Sequence, residues 1–398
     1  MVGPEGCGKA MLLQYAFEQL KSTSVAVINC SAQTNALHAM QKLTQVCGNP
    51  VSSNEGRVLR PKDSERLVLY FKDMNLPKPD KYETIQLISF LQQLITFRGY
   101  YDENNEFIRL EPKRVTIVAS MNPSTTVGRH VLTTRFTAIV RCAYVSYPER
   151  SQLQTIYYNL LQNVLHDHPT YSSESSLRKL AGCMLDIYDG VKQGFSPDDY
   201  RHYKFTPRNL TDWAQGLQRY DLLAVDLIDA LSYECARVFR DRLVGTEAVQ
   251  RFDGLVSSIL RSQFRANVNA SALFTSWTNM AEGVGDSGTA QLSAVSQDSF
   301  QELVAGKMLM YEREFKELNI LLFPEVLQRL ARFDRVLSTP GGSLLLCGRS
   351  GVGRRSALTL AAYMHRMEVF TPNMNRNYAL KNFKNDLKVV MQKVGVEA

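Results

Sequence analysis

Apolar residues along this chain fall into two patterns. Short runs rich in β-branched residues recur early, at 24–30 (SVAVINC), 67–71 (LVLYF), 115–120 (VTIVAS) and 138–145 (AIVRCAYV). Such runs predict strands buried in a sheet. Between them, residues 10–20, 35–47 and 82–97 are apolar at helical spacing. Strands alternating with helices predict an α/β fold, a parallel sheet flanked by helices. Within 96–110, aromatic residues flank Asp102-Glu103-Asn104-Asn105, the pattern of a hairpin inserted into the α/β unit.

From residue 148 the period becomes helical. Residues 150–165, 175–193, 207–220 and 222–243 all read as amphipathic helices, a helical lid following the α/β core. Residues 262–296 are rich in Ser, Ala, Asn, Gly and Thr with little periodicity, which predicts a long, partly flexible connection. Ser299-Phe300-Gln301-Glu302 has the form of a capping box opening another helix. Residues 341–346 (GGSLLL) predict a turn and a short strand. The expected layout is 1–147 as a large α/β subdomain, 148–261 as a helical lid, 262–298 as a connection, and 299–398 as linking helices plus the opening of a second module.

Two glycine-rich turns carry the candidate chemistry. The first is Gly3, Pro4, Glu5, Gly6, Cys7, Gly8, Lys9 and Ala10. Small residues let backbone N–H groups curl around phosphate oxygens, and the lysine neutralises their charge. A phosphate loop follows a buried strand and opens a helix. Only Met1 and Val2 precede this one, so the chain is expected to be truncated at its start. The hydroxyl residue that usually follows the lysine and holds magnesium is here Ala10. The plain alternative is a glycine-rich turn with no ligand. The second turn is Gly348, Arg349, Ser350, Gly351, Val352, Gly353, Arg354 and Arg355. Arginine replaces lysine there, and a fork of donors replaces a point charge. A working loop and a purely structural one both remain open. This unit stops before an acidic motif of its own.

Strand 67–71 leads to Lys72 and Asp73. Phosphoryl-transfer sites place two carboxylates at such a strand end, one for the metal and one for the attacking water. Here there is one, and Lys72 would repel magnesium. Two defects thus fall on the same ion, and the expectation is a site that holds nucleotide and hydrolyses it slowly or not at all. Asn122 after strand 115–120 could orient a phosphate or water; Asn-Pro is also a common turn signal. Arg135 is either an arginine finger or a surface arginine. Arg208, opening a lid helix, could reach the nucleotide.

Composition narrows the field. The 398 residues are 44% hydrophobic and 21% charged, a globular balance. No apolar run reaches the roughly 20 residues of a membrane span, and residues 1–6 lack the layout of a secretion signal. Seven cysteines without a CxxC pair argue against a disulfide framework or zinc site and for a reducing compartment. The net charge of +7 permits an anionic partner without demanding one. The histidines show no metal-ligand spacing, so no protein metal cluster is expected, and the Lys and Arg scattered along the helices read as solvated faces rather than a nucleic-acid groove.

Several of these stretches together resemble one family. KDMNLPKPDKYETIQLISFLQQLITFRGYYD, then Ser120-Met121-Asn122-Pro123, Gly128-Arg129, Thr133-Thr134-Arg135-Phe136, and Phe205-Thr206-Pro207-Arg208 before Trp213 are similar to the motor modules of dynein heavy chains. GPEGCGK, Lys72-Asp73 and GRSGVGRR are most similar to the branch that drives retrograde intraflagellar transport. The resemblance spans essentially the whole chain and implies the third AAA+ module of a six-module ring, with the start of the fourth. It implies that Gly3 to Ala10 form the nucleotide loop, and that Asp73 aligns with the catalytic glutamate and Lys72 with the magnesium-holding aspartate. It further implies Asn122 as phosphate sensor, Arg135 as finger on the preceding module's nucleotide, Arg208 as lid sensor, and Gly348 to Arg355 as the next module's loop. It implies ATP or ADP as ligand, magnesium with weakened protein ligands, and ATP-driven minus-end-directed movement by the whole motor. Implied partners are the other modules of the ring, intermediate and light chains, and intraflagellar transport particles. Microtubules would be gripped only by regions outside these residues. The implied location is cytoplasm, cytoskeleton and cilium or flagellum. Two other classes stay open: a stand-alone AAA+ remodelling ATPase, and a nucleotide-free structural scaffold.

Overall fold

The computed structural model describes every residue except 49, 54–55, 103–104, 112–113, 223, 266–271, 279–290 and 397–398. The chain divides into two compact units, the first made of Met1–Leu153 with Phe205–Arg208, the second of Gln154–Lys204 with Asn209–Ala398.

Unit one is built on a parallel three-stranded sheet. Strands β1 (Thr23–Asn29), β4 (Arg66–Lys72) and β7 (Val115–Ser120) lie in the order β1-β4-β7. Central β4 registers Leu69 against Ala26 on one side and Ile117 on the other. Its residues Leu67 to Phe71 are all buried, which is why that stretch reads as a continuous apolar run. Helices α1 (Lys9–Glu18), α2 (Ala36–Cys47) and α3 (Gln86–Phe97) accompany the sheet. Leu43 of α2 and Leu87 and Leu91 of α3 join Leu67, Leu69 and Phe71 in one core.

The expected hairpin is present: β5 (Gly99–Tyr101) pairs antiparallel with β6 (Phe107–Leu110), and Glu103-Asn104 at its turn lie outside the described residues. It belongs to a second sheet, ordered β2-β3-β6-β5. Strands β2 (Val51–Ser53) and β3 (Gly56–Leu59) in that sheet were not expected, since three- and four-residue polar strands carry almost no periodicity.

The predicted strand at 138–145 is corrected. A four-residue helix α4 (Thr134–Thr137) precedes it, and only Tyr144 forms a bridge, parallel to Val2. Val2 also bridges Met121 in parallel, with Met121 N donating to Met1 O at 3.0 Å and Val145 N to Val2 O at 2.8 Å. Met1 and Val2 therefore sit in a strand position between the end of β7 and residues 143–145. Pairing makes a strand, and among the described residues 138–143 find no continuous ladder.

Unit two is mainly helical. Helices α5 (Arg150–Val164) and α7 (Pro207–Gly216), which both start in unit one, α6 (Glu174–Gly194), α8 (Leu227–Val238) and α9 (Thr246–Phe264) come first. The last of these, α9, lies beyond the predicted helices, which ended at 243. Leu180, Met184, Ile187 and Val191 of α6 are fully buried, and Trp213 Nε1 donates to Leu231 O at 3.0 Å.

The span expected to be a long, partly flexible connection contains regular structure among its described residues. Its described residues include β8 (Leu273–Thr275) and β9 (Ser293–Val295), an antiparallel pair; residues 266–271 and 279–290 of that span lie outside the described set. Beyond it come α10 (Gln297–Glu314), α11 (Pro324–Leu337), α12 (Arg354–Met364) and α13 (Leu380–Val396). The cap of α10 is Ser296 rather than Ser299, accepting from Ser299 N at 3.2 Å.

A buried carboxylate ties α11 to the end of β8 and the end of α12. Asp334 of α11 accepts from Thr275 Oγ1 (2.8 Å) and Ser276 N (2.6 Å) and lies 3.0 Å from His365 Nε2. The predicted strand at 341–346 is absent, and Leu345 is 87% exposed. No strand among the described residues pairs with it.

Candidate functional site

The first glycine-rich turn closes against the strand ends of unit one. Gly6 (φ 73°) and Gly8 (φ 89°) both take left-handed backbone, and Gly8 caps α1. That conformation is cheap only for glycine. At Gly6 a Cβ would lie 2.7 Å from Thr206 Oγ1, and at Gly3 one would lie 2.3 Å from Val145 O. The backbone thus turns tightly against Thr206 and Val145, with the left-handed glycine pattern that an anion-cradling turn uses.

Lys9 opens α1 and folds back under the turn. Its Nζ donates to Gly3 O and Pro4 O, each at 2.7 Å, and to Asn122 Oδ1 at 2.9 Å. Asn122 is buried just past β7 and also donates through Nδ2 to Glu5 Oε1 at 3.3 Å. Asn75, fully buried past β4, donates to Asn122 O at 2.8 Å. Tyr147 OH donates to Glu5 O at 2.6 Å. The turn, the end of β7 and the end of β4 therefore form one hydrogen-bonded site. Asn75, Tyr147 and Thr206 were missed as site residues; their roles depend on where the chain returns in space, and only the stretches containing Asn75 and Thr206 were singled out.

At the end of β4, Lys72 is exposed and Asp73 half-buried, with Asp73 in left-handed backbone (φ 59°). Asp73 Oδ1 lies 3.1 Å from Arg129 Nη2. Its charge is also felt at Cys30, whose thiol is pushed up to about 12, first by burial and then by Asp73. Arg135 on α4 and Arg208 at the start of α7 are both exposed.

The donor set fits a nucleotide phosphate, by the glycine cradle and Lys9, but not a protein-held magnesium. Ala10 has no oxygen side chain, Lys72 is a cation, and Asp73 is engaged by Arg129. Among the described residues no group of three His, Cys, Asp or Glu could hold a metal.

The second turn stands in unit two. Gly351 (φ 84°) and Gly353 (φ 72°) repeat the backbone pattern, and Gly353 caps α12. Arg354 Nη1 donates to Leu346 O at 3.3 Å, and Arg329 Nη1 donates to Val352 O at 2.9 Å. The remaining turn residues from Gly348 to Gly353, and Arg355, are exposed.

A parallel sheet whose strand ends carry a glycine–lysine turn defines a P-loop nucleotide-binding module. Comparison with known proteins makes the class specific. The family described as P-loop containing dynein motor region matches residues 1–148. The dynein heavy chain ATPase lid domain matches 160–249, and the P-loop containing dynein motor region D4 matches 318–398. The chain is 54% identical over its full length to cytoplasmic dynein 2 heavy chain 1 of Chlamydomonas reinhardtii and 46% to that of Homo sapiens. It is 29% identical to the cytoplasmic dynein heavy chain of Caenorhabditis elegans. It spans 9–10% of the length of these relatives. The chain belongs to the dynein heavy chain family, matching its AAA+ P-loop motor domains and lid. No helix among the described residues is long and apolar enough to cross a membrane.

Proposed function

We propose that this chain is an ATP-binding segment of a dynein motor ring, holding ATP or ADP in its first turn for regulation or structure. The observation that carries this reading is the convergence of Gly3 O, Pro4 O and Asn122 Oδ1 on Lys9 Nζ. It sets a fixed positive charge under a glycine cradle. In this reading Gly3 to Ala10 line the phosphates, Asn122 senses the terminal phosphate, and Arg208 reaches in from the lid. Arg135 serves the preceding module's nucleotide. Gly348 to Arg355 form the next module's loop, and residues 1–147, 148–261, 262–298 and 299–398 are its large subdomain, lid, connection and successor. Asp73 is the carboxylate left for hydrolysis, and the eroded magnesium set keeps turnover low.

The full motor would carry out ATP-driven, minus-end-directed movement in retrograde intraflagellar transport. It would work with other modules of the ring, intermediate and light chains and transport particles, in the cytoplasm and along the ciliary axoneme. Support comes from full-length similarity to chains named cytoplasmic dynein 2. Nucleotide co-purifying with the heavy chain, and lost from this loop on Lys9→Ala, tests the reading. A map of the heavy chain in which nothing binds at Lys9 would refute it.

A further inference from the structure

We propose that Arg129 is a positioning residue that clamps Asp73 and so keeps the first turn loaded with triphosphate; this rests on the nucleotide-site reading above. Hydrolysis joins a water oxygen to the terminal phosphorus, breaks the bond from that phosphorus to the bridging oxygen, and sends a proton from the water to a base. At the end of β4 the one carboxylate is Asp73. Its Oδ1 is engaged by Arg129 Nη2 at 3.1 Å. A carboxylate oxygen that already accepts from a guanidinium is oriented by that contact and is not free to turn towards an attacking water.

The backbone builds this engagement. Asp73 adopts φ 59°, a left-handed conformation that a non-glycine residue takes up only at a cost. It is held there by Cys30 N donating to Lys72 O (2.9 Å), Met74 N to Ser120 O (3.2 Å) and Leu76 N to Asp73 O (3.0 Å). Arg129 is fixed from the other side. His130 N donates to Asn75 O at 3.0 Å, and Asn75 in turn grips Asn122 beside Lys9. The Arg129 side chain is only 12% exposed, and its Nη1 is buried without a hydrogen-bond partner. A mostly buried side chain with Nη2 on Asp73 and Nη1 without a partner is held beside Asp73 rather than fully displayed to solvent. The same chain of contacts reaches Lys9 through Asn75 and Asn122, so the clamp and the phosphate cradle share one scaffold.

The test is a set of density maps of the full-length heavy chain incubated with ATP, read at the Lys9 turn. Wild type is expected to hold triphosphate. Arg129→Gln frees Asp73, and over an incubation long enough to allow for the eroded magnesium set the same turn is expected to show loss of the terminal phosphate. Arg129→Lys keeps a cation on Asp73 and is expected to retain triphosphate, which guards against misfolding of the glutamine variant. Arg129→Gln combined with Asp73→Asn removes the base and is expected to restore triphosphate. The clamp is overturned by triphosphate in Arg129→Gln, by diphosphate in wild type, or by diphosphate in the double variant. A bare turn in wild type would overturn the nucleotide-site reading itself, and the clamp with it.

Discussion

The two glycine-rich turns share a backbone and differ in what their cation grips. Gly6 and Gly8 in the first, and Gly351 and Gly353 in the second, all take left-handed φ, and each turn opens a helix. In the first, Lys9 reaches out of its own turn to Asn122, past the end of a strand. In the second, Arg354 reaches a carbonyl only eight residues away. Glycine spacing is therefore enough to shape the turn. A site needs a second, distant segment to meet it, and a paired sheet is what brings Asn122 there.

Four experiments press on that contrast. The largest effect is expected where the sheet is paired. Leu69→Ala, in the middle of β4 with no exposure, is expected to cost about 2–5 kcal/mol in denaturant melts. Leu345→Ala, 87% exposed before the second turn, is expected to stay within about 0.5 kcal/mol. Equal costs would mean that residues 341–346 are packed as a strand after all.

Nucleotide binding comes next. Lys9→Ala removes a charge-assisted contact worth about 2–3 kcal/mol, on the order of 100-fold in affinity, whereas Arg354→Ala is expected to change affinity less than about threefold. Fluorescent-nucleotide titrations of the two variants distinguish them. A comparable loss from Arg354→Ala would make the second turn a working site.

Alanine at the glycines gives a smaller difference. Gly6→Ala meets both left-handed strain and Thr206, while at Gly351 nothing lies within 4 Å of the added Cβ. Thermal melts should show Gly6→Ala worse by about 1 kcal/mol or more.

The smallest effect concerns thiols. Cys30 and Cys183 are buried, and burial pushes each thiol up to about 12. Unfolding returns these thiols to ordinary values near 9.0. Stability from this source is therefore complete below about pH 9 and falls as pH rises towards 12, because the unfolded chain loses its protons first. Alkylation near pH 8 should modify the exposed Cys142 and Cys347 well before Cys30 and Cys183. Early labelling of Cys30 would show the first site to be open.

Much of unit one was legible before any coordinates. Runs such as LVLYF announce a central parallel strand, and Gly6, Gly8 and Lys9 announce a phosphate turn, because these signals are local and rest on steric limits and apolar burial. The dynein-like motifs brought Asn122, Arg135 and Arg208 into view through resemblance. By contrast, 138–145 and 341–346 look like strands by composition, yet neither finds a ladder among the described residues.

Residue order alone thus determined the fold class and placed Ala10 and Lys72 where a hydroxyl and a carboxylate would hold magnesium in the proposed site, since such substitutions are visible in the sequence itself. Tertiary structure alone decided which groups meet. Asn122 lies 113 residues from Lys9 yet 2.9 Å away, and Arg129 lies 3.1 Å from Asp73. Asp334, buried among Thr275, Ser276 and His365, anchors a stretch that composition marked as a loose connection. Such pairings depend on sheet register and chain return, which bring together segments that carry no sign of each other in the sequence.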